Sequence, residues 1–95
     1  MVKIAMVGMS WFTRDDYPRS RAIMEDSCVL PETYEEWTRK AEAQERRAKD
    51  AGFTVVRALI DPLAFAAWCA REGLRVDAKA RTAFAADFAA KRLKN

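Results

Sequence analysis

The side chains that could do chemistry in this chain are few and widely separated. Cys28 and Cys69 are the two thiols, and neither belongs to a CxxC or other ligand-spaced cluster. The chain has no histidine, so one copy cannot form a Ser-His-Asp or Cys-His catalytic arrangement and lacks the commonest zinc ligand. Because Cys69 follows a tryptophan within a strongly apolar segment, we interpret it as a buried packing residue.

The segment Gly8-Met9-Ser10 follows an apolar run, which is where a phosphate-binding loop lies in nucleotide-binding βαβ units. Such loops need several glycines so that the backbone can approach a pyrophosphate, but bulky Trp11 and Phe12 occupy this one. A nucleophile elbow fails as well, because its second glycine would be Phe12. The sequence therefore predicts no cofactor and no bound metal, and it favours a protein that is not an enzyme.

The composition is that of one small globular domain spanning residues 1–95, with 17 basic and 14 acidic residues and a formal net charge of +3. No apolar run approaches the roughly 18 residues that span a membrane. No small-residue cleavage site follows the N-terminal apolar run, so we interpret that run as a strand and not a signal peptide. Isolated cysteines suit a reducing compartment, and we expect a cytoplasmic location with no membrane contact.

Two short apolar runs, VKIAMVG at residues 2–8 and FTVVRALI at residues 53–60, predict the only two strands. Each run is apolar on nearly both faces, and strands of this kind need cover on both sides. Two strands make a poor sheet by themselves. We therefore expect a homodimer that either extends the sheet edge to edge or stacks two sheets face to face.

Helix signals surround the two strands. The first helix is predicted over residues 17–26, after an aspartate N-cap. Thr33 and Glu36 form a capping box that opens a second helix, which ends near residue 51. An Asp-Pro pair begins a third helix over residues 62–72.

A fourth helix follows Asp77 and extends to about residue 93. The predicted fold is α+β and helix-dominated, with the order β-α-α-β-α-α and a small sheet packed by four helices. The second helix has a polar side that we expect to be solvated, formed by Arg39, Lys40, Glu42, Glu45, Arg46, Arg47 and Lys49.

The leading functional hypothesis is an accessory protein that acts through protein–protein contact. Large aromatic residues at positions 11 and 12 fall in a predicted strand-to-helix loop, where they either fold back over the core or form a binding surface. The candidate interaction surface contains Met9, Trp11, Phe12, Arg14 and Arg21.

Two alternatives stay open at this point. The first is a small regulator that contacts nucleic acid through its basic C-terminal helices. Its candidate residues are Arg71, Arg75, Lys79, Arg81, Lys91, Arg92 and Lys94. The second is a small-molecule binder or minor enzyme with a pocket between the sheet and the helices.

The combined pattern resembles a group of short uncharacterised proteobacterial proteins. The resemblance is carried by WFTRDDY at residues 11–17, LPETYEEW at residues 30–37, IDP at residues 60–62, Phe65, Trp68-Cys69, Gly73, Asp77 and Ala80-Arg81. It extends over nearly the whole chain. The resemblance implies a small bacterial cytosolic protein and brings no activity, ligand or catalytic residue.

Overall fold

Two strands and four α-helices follow one another in the order β-α-α-β-α-α in the computed structural model, which describes residues 5–93. This order confirms the α+β class predicted from the sequence. The strands are β1 (Met6–Trp11) and β2 (Thr54–Leu59), and the helices are α1 (Tyr17–Ile23), α2 (Tyr34–Asp50), α3 (Pro62–Glu72) and α4 (Ala78–Leu93). A short 3-10 turn, Ser27–Val29, lies between α1 and α2.

Local capping chemistry explains where three of the helices begin. The side chains of Thr33, Asp61 and Asp77 each accept a hydrogen bond from the backbone N–H three residues further on, at 3.2, 2.8 and 3.1 Å. These bonds satisfy N–H groups that have no partner within the helix. Gly73 ends α3 with a φ of 70°, a left-handed conformation that glycine adopts without steric cost.

The two strands pair with each other in parallel, from Met6 opposite Thr54 to Trp11 opposite Leu59. Parallel neighbours need a long crossover connection, and α1 and α2 supply it here. The sequence left open whether the strands pair within one chain or across a dimer. In this structure the pairing is within the chain.

One face of the sheet packs directly against α4. The backbone of Gly8 comes so close to this helix that a Cβ at position 8 would lie 2.1 Å from the carbonyl oxygen of Ala85 and 3.2 Å from the Cβ of Ala89. Ala85 and Ala89 are themselves buried. Small side chains on both elements therefore set the distance between the helix and the sheet.

The opposite face of the sheet lies against α2. Arg57 of β2 donates two hydrogen bonds of 2.8 Å to the carboxylate of Glu45, and its guanidinium lies 3.8 Å from the centroid of the Trp11 ring. The expectation that Glu45 is solvated is wrong, because this ion pair draws the residue into the interface and leaves it 8% exposed. The Arg57 guanidinium also lowers the pKa of Glu45.

Both faces of the sheet thus receive a helix from the same chain, which weakens the sequence-based reason for expecting two sheets to stack face to face. One hydrophobic cluster joins the elements, with Phe12, Tyr17, Trp37, Phe65 and Ala80 among its buried members. The homodimer itself stays a prediction.

The first strand and the first helix differ most from their predicted bounds. The first strand runs over Met6–Trp11 and not over residues 2–8, of which residues 2–4 lie outside the described part of the chain. The sequence predicts a first strand that ends at Gly8, but β1 continues to Trp11, and the small residue at position 8 allows α4 to pack closely. The first helix ends at Ile23 because Met24 is already extended, with ψ of 131°.

The close approach of α4 makes a specific stability prediction. Gly8→Ala should lower the free energy of unfolding by about 3 kcal/mol, because the new methyl group meets a helix carbonyl that can move only with its helix. Urea denaturation followed by circular dichroism measures the change. Ser10→Ala, two residues further along β1, is the control and should change stability little. A Gly8→Ala protein as stable as the wild type would show that α4 does not pack this closely.

Candidate binding groove

A groove of about 680 Å³ runs along the outer edge of β1, the edge that faces away from β2. Gly8, Met9 and Ser10 form its floor, and no residue of β2 contributes to its lining. One wall comes from α2 and the other from α4, so the free edge of the sheet lies at the bottom of a cleft between two helices. We call this cleft the β1 groove.

The backbone hydrogen-bonding groups of successive β1 residues point alternately to β2 and to the β1 groove. The N–H of Thr54 donates to the carbonyl of Ala5 at 2.8 Å, and the N–H of Ile60 donates to the carbonyl of Trp11 at 2.9 Å. In the observed register, the odd-numbered residues of β1 direct their backbone N–H and C=O groups to β2. Gly8 and Ser10 direct theirs away from β2, into the β1 groove. Within residues 5–93, nothing hydrogen-bonds to these outward groups across the groove.

The free edge of β1 lacks the features that usually prevent edge-to-edge pairing. Natural edge strands are commonly protected by a charged side chain, a proline or a bulge. The β1 sequence, MVGMSW, contains neither a charge nor a proline. By contrast, β2 carries Arg57 in its middle. The edge of β1 is therefore chemically ready to accept another extended chain.

The two walls of the β1 groove differ in character. On α2, Lys40, Gln44 and Arg47 recur at positions i, i+4 and i+7, which places them on one stripe of the helix. On α4, the residues with the same spacing are all small: Ala78, Thr82 and Ala85. The α2 stripe therefore carries long, mostly basic side chains, and the α4 stripe carries short side chains.

Apolar residues also line the β1 groove. Val29, Leu30 and Pro31 of the segment before α2 lie there, together with the aromatic rings of Phe12 and Trp37. Val29 is 65% exposed, although it is a large apolar residue. The groove therefore offers both the polar backbone groups of β1 and an apolar surface.

Arg81 also lines the β1 groove, but its guanidinium is already paired. It donates hydrogen bonds of 2.9 and 3.0 Å to the carboxylate of Asp26, and the whole residue is 8% exposed. Asp26 also accepts a hydrogen bond of 3.1 Å from the backbone N–H of Ala78, the first residue of α4. The hydrogen bonds from Arg81 lower the pKa of the Asp26 carboxyl. This pair holds the segment after α1 against the start of α4.

The predicted interaction residues do not form one surface. Trp11 and Phe12 are 5% and 1% exposed, so of the two alternatives these rings fold back over the core and do not form an exposed surface. Trp11 is the last residue of β1, and both rings pack edge-on against Trp37, with centroids 5.1 and 5.0 Å away. Met9 is half-buried and lines the β1 groove.

The two arginines of that set have other roles. Arg14 forms an exposed ion pair with Glu35 and lies 4.9 Å from the centroid of the Tyr34 ring. Arg21 donates from Nε to the carbonyl oxygen of Leu30 at 3.4 Å. Both arginines fasten the N-terminal part of the crossover and lie outside the lining of the β1 groove.

The candidate nucleic-acid residues fall into two separated groups. Arg71, Arg75 and Lys79 surround the turn between α3 and α4, whereas Lys91 and Arg92 lie in the last turn of α4. The helical rise places Lys79 and Lys91 about 18 Å apart along the axis. Lys94 lies outside the described residues.

Several members of that set are also engaged within the chain. Arg81 is buried against Asp26, so its assignment as a nucleic-acid contact is wrong. Arg75 lies 3.6 Å from Glu25, and Lys91 pairs with Asp87 at 3.0 Å. Nucleic-acid binding stays a prediction, but its residues do not converge on one surface.

The two thiols lie in different surroundings. Cys69 is 1% exposed, and burial raises the pKa of its thiol. Cys28 is exposed and free. In the described ranges, no group of three or more carboxylate or cysteine side chains is arranged to hold a metal ion. Over the same residues, no helix is both long enough and apolar enough to cross a membrane.

Comparison with known proteins gives one match. Residues 6–94 match the family described as a domain of unknown function, DUF8829. The chain belongs to the DUF8829 family. This membership agrees with the resemblance to uncharacterised proteins, while their proteobacterial origin stays a prediction. Neither the curated proteins nor the solved structures gave a match.

Sequence reasoning missed most of the β1 groove in this DUF8829 member. Lys40 and Arg47 belong to the polar side of the second helix that was predicted to be solvated, whereas Gln44 was in no predicted set of residues. The sequence does not show that β1 lies opposite these three residues of α2. Only the pairing of β1 with β2 reveals which edge of the sheet remains free.

The Asp26–Arg81 pair makes stability depend on pH. Because the folded-state pKa of Asp26 is lowered, its contribution is fully present above the unfolded-state pKa of about 4 and is lost as the pH falls through the folded-state pKa. Asp26→Asn should therefore cost about 3 kcal/mol at pH 7, and this difference from the wild type should shrink below pH 4.

Urea denaturation at several pH values tests this dependence. Asp87→Asn, which removes an exposed carboxylate that pairs with Lys91, is the matched control and should cost well under 1 kcal/mol. A difference between Asp26→Asn and the wild type that stays constant into acid would contradict the assignment of the pH dependence to this carboxyl.

Proposed function

We propose that this protein is a non-enzymatic interaction module that binds an extended polypeptide segment along the free edge of β1. The observation that carries the proposal is an uncharged edge strand at the bottom of a groove between two helices. Strand addition of this kind recognises a partner mainly through backbone hydrogen bonds, with side-chain pockets adding specificity.

The proposal accounts for features that the internal packing does not require. Gly8 and Ser10 direct backbone N–H and C=O groups outward, and buried or half-buried backbone groups are normally paired. A strand that docks beside β1 would supply those partners at the usual spacing of about 4.8 Å. The six residues of β1 offer a docking length of about 20 Å.

Ser10→Pro is the variant that tests strand docking. Proline removes the outward N–H and places its ring at the sheet edge, while the hydrogen bonds to β2 come from odd-numbered residues and are retained. The control is Ser10→Ala, which keeps the N–H. Circular dichroism and urea denaturation of both variants establish that the fold is preserved.

The probe is a library of random twelve-residue peptides displayed on phage and selected on the wild-type protein. Selected peptides should bind Ser10→Ala as tightly as the wild type and bind Ser10→Pro at least about tenfold more weakly, since a backbone hydrogen bond and steric access are both lost. Peptides that bind Ser10→Pro equally well, or a library that yields no binder, would refute strand docking on β1.

The sequence-based homodimer is a second way to occupy the same edge. Sedimentation across a dilution series of the wild type and Ser10→Pro distinguishes the cases. A dimer that persists in Ser10→Pro uses another surface, and a dimer that is lost in this variant uses β1. A dimer that Ser10→Pro disrupts would mean that the protein binds a second copy of itself through β1.

The remaining alternatives have their own signatures. Nucleic-acid contact predicts binding that weakens steeply with salt because counterions are released. A small-molecule site predicts thermal stabilisation in a ligand screen, about 2.7 kcal/mol at a ligand concentration of 100 times Kd. Nucleic-acid contact through the basic C-terminal helices predicts no sensitivity to the backbone N–H of Ser10.

A further inference from the structure

We infer that the segment which docks in the β1 groove is acidic, with carboxylates on alternate residues and small or β-branched side chains between them. This inference rests on the proposed function, since it requires a strand beside β1. It follows from the different chemistry of the two walls of the groove.

A docked strand would present its side chains alternately to the two helices. Successive side chains of a strand point to opposite faces of the sheet. In the β1 groove, one face leads to α4, whose backbone nearly touches Gly8, and the other leads to α2, which contacts Arg57. Every second side chain of the docked segment therefore faces α2, and the remaining ones face α4.

The α2 wall selects carboxylates. Lys40 and Arg47 are exposed and line the groove, and the described residues include no ion-pair partner for either. Gln44, between them, can donate a hydrogen bond from its amide. No aspartate or glutamate lines the groove, so a segment with carboxylates on this side would meet only complementary charge.

The α4 wall selects small side chains. Ala78, Thr82 and Ala85 leave shallow space there, and the one long residue on this wall, Arg81, is held by Asp26. A lysine or arginine of the docked segment would find no free carboxylate in the lining. A large aromatic side chain of the segment would collide with the backbone of α4. Threonine, valine or serine fits both the space and the strand conformation.

The same charges argue against a second copy of this chain as the occupant. If β1 paired with β1 of another copy across a two-fold axis, the two α2 helices would approach each other on the same face of the joined sheet. Each would carry Lys40 and Arg47 towards the other, and like charges at close range oppose association. An acidic partner segment neutralises the positive charge of Lys40 and Arg47, whereas a second copy brings the same positive charge again.

Synthetic eight-residue peptides that alternate threonine with glutamate, glutamine or lysine separate the inference from the proposed function. Fluorescence anisotropy at low and high salt measures their binding to the folded wild-type protein. The glutamate peptide should bind about fivefold to thirtyfold more tightly than the glutamine peptide at low salt, and the gap should narrow as salt screens the charges. The lysine peptide should bind most weakly.

Two double variants test whether the preference for the glutamate peptide arises from the residues that line the β1 groove. Lys40→Glu combined with Arg47→Glu should abolish the preference for the glutamate peptide and favour the lysine peptide. Arg39→Glu combined with Arg46→Glu changes the net charge equally at exposed positions of α2 that do not line the groove. This control should leave most of the preference intact.

Each outcome has a distinct meaning. If the glutamine peptide binds as tightly as the glutamate peptide and both require the Ser10 N–H, strand docking stands and the acidic preference is overturned. Equal loss in both double variants overturns the assignment to Lys40 and Arg47. If no peptide binds the wild type, both proposals fail. A wild-type dimer that Ser10→Pro disrupts would identify the occupant as a second copy and overturn the inference.

Discussion

The contact between Gly8 and α4 is the constraint on which the rest of the structure depends. The strand backbone and the helix backbone approach so closely at this point that even a methyl group has no room. The alanines at positions 85 and 89 keep the helix side of the contact equally small. Because α4 lies this near to β1, the sheet is closed on one face, and the shape of the β1 groove follows from the same contact.

Two ion pairs complete the arrangement by joining elements that are distant in sequence. Glu45 and Arg57 connect α2 to β2, and Arg57 also covers the ring of Trp11. Asp26 and Arg81 connect the segment after α1 to α4. Breaking a buried pair by removing one partner leaves an uncompensated charge, so such pairs specify position strongly even where their net contribution to stability is modest. Together they hold both helical layers in place around a sheet of only two strands.

A two-stranded parallel sheet covered on both faces still has two edges, and among residues 5–93 no third strand pairs with either. Covering the faces satisfies the apolar side chains, but it does nothing for the outward backbone groups of the edge strands. On β1 these groups lie between a basic helix stripe and a stripe of small residues, and no charge or proline on the strand protects them. This combination is the reason why we propose that this DUF8829 protein acts through the edge of its sheet.

The sequence by itself determined the element order and three of the helix starts, since Thr33, Asp61 and Asp77 act through bonds to N–H groups three residues away. It also predicted that Cys69 is buried, because the surrounding helix is apolar around most of its circumference. Local chemistry of this kind is readable because both partners lie within one turn of the chain.

Only the tertiary structure decided what the distant residues do. In the sequence Gly8 is only the last residue of an apolar run, and its contact with α4 exists only in the folded chain. Glu45 was expected to be solvated and Arg81 to be free for a phosphate, but their ion-pair partners lie 12 and 55 residues away in the sequence. The free edge of β1 likewise exists only once β2 has occupied the other edge. Contacts between residues far apart in the chain leave no periodic pattern, so the groove becomes visible only when the elements are packed together.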